Sequence, residues 1–248
     1  MYSYIDKELY LGSEVELTEI IVSNILKGNK KVYYAINSDC MLKYWNDIEY
    51  KNIIDQEDNL VYVDGMGVIF AQKLLNLPVA QERIATTDLF PNLMGYLESN
   101  NINIRVFLLG GKVGTAEKVK FNFNRKYPNV EIVGTHHGYF DKSEESERII
   151  DLINKLNVDL LFVGFGNPIQ EKWVNKYQNS IKVNGILTCG GLFDFYSNNV
   201  KRAPQIMQDI GLEWLYRLLQ EPKRLYKRYI FGNMSYLLKL IKLKFFKF

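Results

Sequence analysis

The sequence predicts an α/β fold, with a Rossmann-like, mostly parallel sheet covered by helices on both faces and a basic helical C-terminal appendage. Short apolar runs alternate with helical patterns along the chain, which is the pattern of βα units. Glycine, asparagine or aspartate stands where most of these runs end. Acidic side chains stop at Glu221, whereas basic ones continue beyond it. We therefore predict a core over residues 1–200 and an appendage over residues 201–248.

Six runs have the β-branched and aromatic composition of buried strands. They are 31–36, 59–64, 104–110, 130–134, 158–164 and 184–190. Ligands of parallel sheets bind beyond the carboxyl ends of the strands, so the residues that end these runs or directly follow them are candidate site residues. They are Asn37, Asp64, Gly110, Gly111, Gly164, Gly190 and Gly191.

Helices of about 10–15 residues fit between the strands. Ser13 with Glu16 three residues later is a capping box, and it predicts a helix that ends near Gly28. Two further helices are predicted over 39–50 and 66–76. The residues expected to cap the next helix are Thr87 or Asp88.

The composition is that of an ordinary globular protein, with 248 residues and 47% hydrophobic side chains. The net charge of +3 is unevenly placed, because residues 222–248 carry eight Lys/Arg and no Asp/Glu. Residues 1–221 therefore have a net charge of −5, and an anionic partner should meet the C-terminal part. The N-terminus lacks the pattern of a signal peptide, and no run approaches the roughly 18–20 apolar residues of a membrane span. We expect a cytoplasmic protein, peripheral on the inner face of the cell membrane.

Cysteine and histidine are too sparse to indicate a metal site. Cys40 and Cys189 predict small, buried, reduced side chains rather than a disulfide framework. His136 and His137 are adjacent on an extended segment and point opposite ways, and no second pair completes a zinc set. No D-x-D triplet occurs. We expect no metal requirement, so the charge of a diphosphate leaving group would be met by backbone N–H groups and cations.

In the segment "NLVYVDGMGVIF" (59–70), a predicted strand ends at a carboxylate, Asp64, which is followed directly by a glycine. Asp64 caps the following helix, or it stands at the mouth of a site as a base. Gly65 beside it would leave room for a substrate.

Two segments join a strand to a helix through glycines. "FLLGGKVGTAEKV" (107–119) has Gly110, Gly111 and Gly114, and is either a phosphate site at a helix N-terminus or a tight βα turn. "LFVGFGNPIQEKW" (161–173) likewise joins a strand to a helix through glycines and has the same two interpretations. Its candidates are Gly164, Gly166, Pro168, Gln170 and Glu171. The amide of Gln170 suits sugar hydroxyls, whereas Glu171 is equally explained as a carboxylate that stabilises a helix N-terminus.

Two more segments could face the same edge. "TCGGLFDFYSNNVKRAP" (188–204) leaves a strand through two glycines and carries Asp194. In "THHGYF" (135–140), Tyr139 either stacks on a base or sugar or is an ordinary core or rim tyrosine. Arginines suited to phosphate oxygens come late in the chain. They are Arg202, Arg217, Arg224 and Arg228.

The C-terminal stretch (229–248) predicts an amphipathic helix. Its apolar residues fall within one arc of roughly 100°. They are Leu237, Leu238, Ile241, Phe245 and Phe248. A basic, aromatic-rich helix suits an anionic membrane surface, and the alternative is a helix packed on the body or on another subunit. Nucleic acid is not expected as a partner, and a homo-oligomer is possible.

Seven stretches occur in the order found in the WecG/TagA/CpsF bacterial glycosyltransferases, which the chain resembles over about residues 10–231. They are "VYVDGMGV", "ERIATTDLF", "FLLGGKVGTAEK", "GFGNPIQEKW", "CGGLFDF", "KRAP" and "GLEWLYRLLQEPKRLYKRY". The resemblance implies an inverting transferase that moves an N-acetylmannosamine-type sugar from UDP to a lipid-linked acceptor. In the teichoic acid branch the acceptor is undecaprenyl-diphosphate-linked N-acetylglucosamine, joined at its 4-hydroxyl.

The resemblance also implies roles for particular residues. Asp64 matches the family's proposed catalytic base, and Asn37 and Gln170 match an asparagine and a glutamine of the family's motifs. Substrate-binding candidates in the matching stretches are Gly65, Arg83, Thr87, Asp88, Glu171, Arg202, Arg217 and Arg224. UDP is expected across the turns at 110–114 and 164–166, with uracil near Tyr139 and the 188–194 loop. The chain departs from the family where Ala35 replaces a frequent threonine and "IATTDL" replaces "V-x-G-x-D-L".

Three alternatives remain. The donor could be another UDP-sugar, such as a mannosaminuronic acid or a hexose derivative. A doubly wound sheet also permits a nucleotide-linked oxidoreductase, although the chain lacks G-x-G-x-x-G followed by an acidic residue about 20 positions on. A non-catalytic membrane scaffold would explain the tail but not the candidate residues at the sheet edge.

Overall fold

The structure, a computed structural model, describes residues 4–209 and 211–245. Within them, six strands form one sheet. The strands are β1 (Lys31–Ile36), β2 (Asn59–Val63), β3 (Arg105–Gly110), β4 (Glu131–His136), β5 (Leu160–Gly164) and β6 (Gly185–Thr188). Their order across the sheet is β2-β1-β6-β5-β3-β4, and neighbouring strands pair in parallel throughout. The predicted Rossmann-like α/β fold is confirmed.

Helices cover both faces of the sheet. In the first part of the chain they are α1 (Glu14–Leu26), α2 (Ser38–Asn46), α3 (Ile48–Ile54), α4 (Met66–Leu74), α5 (Thr86–Ser99) and α6 (Thr115–Lys126). Next come α7 (Ser146–Lys155), α8 (Ile169–Tyr177) and α9 (Leu192–Tyr196). One apolar core packs α2, α3, α4, α7 and α8 on the first face, and a second packs α1, α5, α6 and α9 on the other. Cys40 and Cys189 are buried free thiols, as expected.

Two predicted helix boundaries are wrong. The helix expected over 39–50 is divided at Asp47, whose side chain accepts a hydrogen bond from the Tyr50 N–H and so caps α3. Helix α5 begins at Thr86, and its N-cap residue is Ala85 rather than Thr87 or Asp88. At this helix end the Thr86 hydroxyl donates to Asp64 Oδ2 at 3.2 Å, a contact with a residue 22 positions earlier in the chain. The capping box of Ser13 and Glu16 is present as predicted.

The C-terminal part is helical in the described residues. It contains α10 (Gln205–Asp209), α11 (Glu213–Gln220), α12 (Pro222–Tyr226), a π-helical turn (Lys227–Phe231) and α13 (Gly232–Phe245). Helix α13 contacts α2 and buries Tyr236 and Leu240 in the first core. The Tyr236 ring stacks on Trp45 at 5.6 Å, and its hydroxyl hydrogen bonds to that of Tyr4 at 2.7 Å.

The predicted apolar arc of the tail lies on the other face of α13. Leu237, Leu238, Ile241 and Phe245 are all more than a third exposed, whereas Phe248 lies outside the described residues. The helix therefore has two apolar faces. The face with Tyr236 and Leu240 packs on the body, whereas the face predicted from the sequence is exposed. In the described parts of the chain, no helix combines the length and apolar composition that crossing a bilayer requires.

Candidate active site

A cavity of about 1130 Å³ lies at the carboxyl edge of the sheet. Its floor is made by residues that follow the strands, and α11, the π-helical turn and α13 stand opposite, with Trp214, Tyr229 and Leu237 on the wall. This is the edge at which ligands of parallel α/β sheets bind. The cavity is large enough for a drug-sized or nucleotide-sized ligand.

The structure brings most predicted site residues to this cavity. After β1 and β2 come Asn37, Asp64 and Gly65. After β3, β5 and β6 come Gly111, Gly164, Gly166, Gly190, Gly191 and Asp194. Helix α8 contributes Gln170 and Glu171, loops and α5 contribute Arg83, Thr87 and Tyr139, and the C-terminal helices contribute Arg217 and Arg224. The predicted residues that do not line it are Asp88, Gly110, Gly114, Pro168 and Arg202.

Asp64 follows β2 and projects into the cavity wall. Its backbone N–H donates to the Ile36 carbonyl at 2.9 Å, which extends the β1–β2 pairing by one residue. It does not cap the helix that follows, since the N-cap of α4 is Gly65 and no side-chain hydrogen bond caps that helix. Instead, its Oδ2 accepts a hydrogen bond from the Thr86 hydroxyl at 3.2 Å. The first alternative for Asp64, a cap of the next helix, is therefore wrong.

The electrostatics of Asp64 suit a proton acceptor. Burial raises the pKa of Asp64 to about 7, against the lowering effects of the Arg83 cation and the Thr86 hydrogen bonds, and the Glu213 carboxylate raises it further. A carboxylate with a pKa near neutrality is well matched to general base catalysis.

Gly65 and Gly67 allow the β2–α4 turn to approach the start of α2. A Cβ on Gly65 would stand 2.8 Å from the Asn37 Cβ, and one on Gly67 would stand 2.2 Å from the Ser38 Oγ. These glycines therefore serve close packing of two helix starts. Asn37 itself is the N-cap of α2, where its Oδ1 accepts from the N–H groups of Asp39 and Cys40, so only its amide N–H₂ can donate to a ligand.

Three strand ends meet backbone to backbone under the cavity. A Cβ on Gly110 would lie 2.4 Å from the Gly164 carbonyl oxygen, and one on Gly164 would lie 2.7 Å from that of Gly190. At Gly166 the reason for glycine is conformational rather than steric. Nothing lies within 4 Å of its Cβ position, but its φ of +90° favours glycine. The close approach confirms tight βα turns, and the phosphate site stays a prediction.

Gln170 joins two of these turns. It is 5% exposed, and its Oε1 accepts from the N–H groups of Gly166 at 3.1 Å and Gly190 at 3.0 Å. Its Nε2 donates to Glu171 Oε1 at 2.8 Å. The side chain expected to bind sugar hydroxyls is therefore already committed to holding the β5 and β6 turns together.

Glu171 is 1% exposed and lies beneath the turns. Burial raises its pKa to about 7, while the Gln170 hydrogen bond and the Arg228 cation lower it and Asp39 raises it. Its Oε2 is buried without a hydrogen-bond partner among the described residues. The carboxylate is far more deeply buried than one that only stabilises a helix N-terminus, so its ionisation is coupled to the packing of the site.

Arg217 is placed to meet an anion. Its guanidinium lies over the Phe195 ring at 4.7 Å and within 3.3 Å of the Cβ position of Gly191. In the described part of the chain its Nε is buried without a hydrogen-bond partner. A buried N–H on a cation at a cavity wall is satisfied when an anionic ligand binds. Asp194 is nearby, and burial raises its pKa against the effects of Arg224 and Arg217.

Four charged side chains connect the C-terminal part to the body. Arg202 pairs with Asp88 and, at 3.4 Å, with Glu213. Arg83 lies 3.5 Å from Glu213 and 3.9 Å from Asp88. Arg83, Asp88 and Arg202 were all expected to bind substrate. The structure places them in this ion-pair network, in which only Arg83 and Glu213 reach the cavity wall.

Further residues line the cavity that were not predicted from the sequence, apart from Arg228. Thr86 and Glu213 gave no signal, because their roles depend on partners far away in the chain. Lys112 stands inside the first glycine turn, and Lys142 lies 3.8 Å from the Phe140 ring centroid. Arg228 pairs with Asp39 at 3.2 Å and faces the cavity.

Tyr139 stands at the rim with 73% of its surface exposed, which excludes a core position and leaves stacking on a ligand and an ordinary rim tyrosine as the alternatives. For metals, the described residues contain no group of three or more His, Cys, Asp or Glu side chains that could hold an ion.

A parallel sheet whose edge presents a carboxylate, glycine turns and guanidinium groups to one cavity has the architecture of an α/β enzyme whose site suits an anionic ligand. The chain belongs to the WecG/TagA/CpsF family of glycosyl transferases, whose model matches residues 5–247. The match includes the C-terminal helices. The protein is therefore a glycosyltransferase, and the oxidoreductase and scaffold alternatives are set aside.

Curated relatives support the same family. A protein of Bacillus subtilis strain 168 is 33% identical over 193 residues, 78% of this chain and 73% of the relative. One of Bacillus spizizenii W23 is 36% identical, over 84% of this chain and 80% of the relative. One of Staphylococcus aureus MW2 is 32% identical, over 71% and 66%. Each of the three is named N-acetylglucosaminyldiphosphoundecaprenol N-acetyl-beta-D-mannosaminyltransferase.

Proposed function

We propose that the enzyme transfers N-acetylmannosamine from UDP-N-acetylmannosamine to the 4-hydroxyl of undecaprenyl-diphosphate-linked N-acetylglucosamine, with inversion at the anomeric carbon. The names of the relatives support the sugar and the acceptor. The observation that carries the chemistry is Asp64, a carboxylate on the wall of the cavity with a pKa of about 7. Inversion in one displacement needs such a base next to the acceptor hydroxyl.

The transfer forms one bond and breaks another. Asp64 takes the proton of the acceptor hydroxyl as its oxygen attacks the anomeric carbon from the face opposite UDP. The bond from that carbon to the β-phosphate oxygen breaks, and UDP leaves with the bonding electron pair. The proton remains on Asp64 until it is released to solvent through the cavity.

The leaving diphosphate is stabilised by the opposite side of the cavity. The N-termini of α6 and α8 favour anions through the helix dipole, whereas the N–H groups of Gly166 and Gly190 are already bonded to Gln170. Lys112, in the turn before α6, lines the cavity as well. Arg217, with its unpartnered Nε, and Arg224 supply positive charge. With these donors the proposed mechanism has no metal requirement.

The acceptor explains the apolar part of the cavity and the tail. Phe70 on α4 and Leu237 on α13 line the cavity. The exposed face of α13 continues this apolar surface through Ile241 and Phe245, and lysines stand along the helix. Such a helix binds the interface of an anionic membrane, so we place the enzyme peripherally on the inner face of the cell membrane.

A panel of UDP-sugars with a lipid-diphosphate N-acetylglucosamine acceptor analogue tests the function through UDP release, with and without EDTA. UDP-N-acetylmannosamine should be the preferred donor, and EDTA should leave the rate unchanged. Preference for a uronic acid or hexose donor would overturn the donor assignment, and loss of activity in EDTA would overturn the metal-free mechanism. Asp64→Asn should bind donor normally but lose turnover. Near-normal turnover in that variant would exclude Asp64 as the base.

A further inference from the structure

Two side chains from different elements form a hydrogen-bonded chain that ends on Asp64. Tyr62 lies on β2, two residues before Asp64, and is completely buried. Its hydroxyl oxygen is 2.7 Å from the Thr86 Oγ1. Thr86, the first residue of α5, is 4% exposed and donates to Asp64 Oδ2 at 3.2 Å.

The direction of both hydrogen bonds follows from which groups have a proton to donate. An ionised carboxylate only accepts, so the single hydroxyl proton of Thr86 must be the one donated to Asp64. Tyr62 must then donate its own proton to the Thr86 oxygen. Burial raises the pKa of Tyr62 well above its usual range, and the Asp64 charge raises it further, so the phenol stays protonated and remains a donor.

We propose that Tyr62 and Thr86 are positioning residues that fix the orientation of the Asp64 carboxylate, so that Oδ1 is the oxygen that faces the acceptor hydroxyl. The inference rests on the proposed role of Asp64 as the base. The hydrogen-bonded series ends at the Tyr62 phenol inside the second core. It therefore carries no proton to solvent. Its effect is to hold one oxygen of the base and to favour the ionised form through a donated hydrogen bond.

Other charged groups also shift the pKa of Asp64, and the test leaves them unchanged. Arg83, before α5, favours the ionised form, and Glu213 on α11 disfavours it. Glu14 on α1 and Cys189 after β6 act on Tyr62 rather than on Asp64 directly. A change at Thr86 or Tyr62 leaves all of these groups in place.

The experiment compares Thr86→Val, which keeps the shape and removes the hydroxyl, with Thr86→Ser, which keeps the hydroxyl. Thr86→Val should lower kcat about tenfold, a part of what general base catalysis contributes, with the donor KM within about twofold. It should also move the acidic limb of the pH–rate profile to higher pH. Thr86→Ser should restore both. Tyr62→Phe should act in the same direction as Thr86→Val but less strongly.

A matched control separates positioning from folding. Tyr33 is another completely buried tyrosine, on β1, and its hydroxyl accepts from Asn24 Nδ2 at 3.1 Å, away from the cavity. Tyr33→Phe should keep the kcat and the pH profile of the unmodified enzyme. Unchanged kcat and pH profile in Thr86→Val would overturn the proposal, as would an equal loss in Thr86→Ser. If Thr86→Val does not fold, Tyr62→Phe, which retains the Thr86 side chain, decides.

A readout that needs no turnover distinguishes this proposal from the proposed function. The Asp64 carboxyl carbon can be titrated by ¹³C NMR, with Asp64→Asn used to assign the signal. Thr86→Val should raise the pKa of Asp64 whether or not the protein transfers a sugar, and an unchanged titration would refute the positioning role. Sugar transfer by Asp64→Asn would instead refute the base assignment and leave the NMR result standing.

Discussion

Gln170 and Glu171 are neighbours in sequence and hydrogen-bonded to each other, amide nitrogen to carboxylate oxygen, at 2.8 Å. The contact fixes which end of the Gln170 amide faces which partner. Because the carboxylate accepts from Nε2, Oε1 is turned toward the N–H groups of Gly166 and Gly190. The "PIQE" motif thus holds together the turns that follow β5 and β6 at the cavity floor.

Replacing Gln170 by leucine should weaken donor binding and the fold together. The change leaves the Gly166 and Gly190 N–H groups unpaired, which costs about 1–3 kcal/mol in free energy of unfolding, and raises the KM for the UDP-sugar. Urea unfolding and donor kinetics measure the two effects. Gln72→Leu is the control, since Gln72 is equally buried on α4 and its Oε1 accepts only from Ala80 N–H at 3.2 Å. It should lose stability and keep its KM, and an unchanged KM in Gln170→Leu would contradict this role of Gln170.

The rate of transfer should fall as the solution is acidified through neutrality. The pKa of Asp64 is about 7, and only the ionised form can take the acceptor proton. A profile of kcat/KM between about pH 5 and 9 should therefore show one acidic limb. Arg83→Gln should move that limb to higher pH, because the Arg83 cation lowers the pKa of Asp64. A limb that moves to lower pH in this variant would contradict the assignment.

Glu171 should make the folded state less stable as the pH rises. Its pKa is about 7 in the fold and about 4.3 in an unfolded chain, so between these values the folded state binds more protons. The contribution of Glu171 to the free energy of unfolding therefore falls from about pH 4 to pH 7 and is constant above, by about 4 kcal/mol. Asp64, raised to a similar pKa, adds a decline of comparable size. Glu171→Gln should therefore remove about half of the total decline seen in urea unfolding.

The ion-pair network should hold the C-terminal helices against the body. Arg202→Gln removes the pairs with Asp88 and Glu213. Each is partly exposed, so the loss of stability should be about 1 kcal/mol or less. Hydrogen exchange in α11–α13 should nevertheless accelerate and kcat/KM should fall, because Arg217 is carried by these helices. Arg105→Gln is the control, since it breaks a surface pair with Glu131 at 2.8 Å; equal exchange in both variants would argue against the network.

The exposed face of α13 should determine membrane binding without affecting the fold. Leu238→Ser and Phe245→Ser each remove an apolar side chain that is more than half exposed. Binding to vesicles containing anionic lipid, measured by sedimentation, should weaken several-fold, with little change in thermal unfolding. Leu240→Ser should instead destabilise the protein, since Leu240 is fully buried. Undiminished vesicle binding in the double variant Leu238→Ser, Phe245→Ser would exclude this face.

The strands could be predicted from the sequence because buried parallel strands are read directly from short apolar runs. Each predicted run overlaps an observed strand, and the residues after five of them line the cavity. Two helix boundaries were not predicted. Asp47 divides the helix expected over 39–50 by capping α3. Helix α5 begins at Thr86, before both capping candidates, where the Thr86 hydroxyl contacts Asp64.

Side-chain partners were the least accessible part of the site. The sequence places Gln170 and Arg202 near the cavity, but only the folded chain shows that one clamps two turns and the other pairs with Asp88. In α13, the apolar pattern contains two faces. Helical periodicity identifies an apolar face but not its neighbour, so Tyr236 and Leu240 were not recognised as the buried pair.

The hydrogen bond between Tyr4 and Tyr236 spans 232 positions of the chain. Tyr4 precedes every strand of the sheet in the chain and Tyr236 follows all of them, and domains begin to fold during synthesis. The sheet, with Asp64 at its edge, can therefore form on a nascent chain before the helices that carry Trp214, Arg217 and Leu237 have been made. Assembly of the complete cavity thus waits for the C-terminal helices.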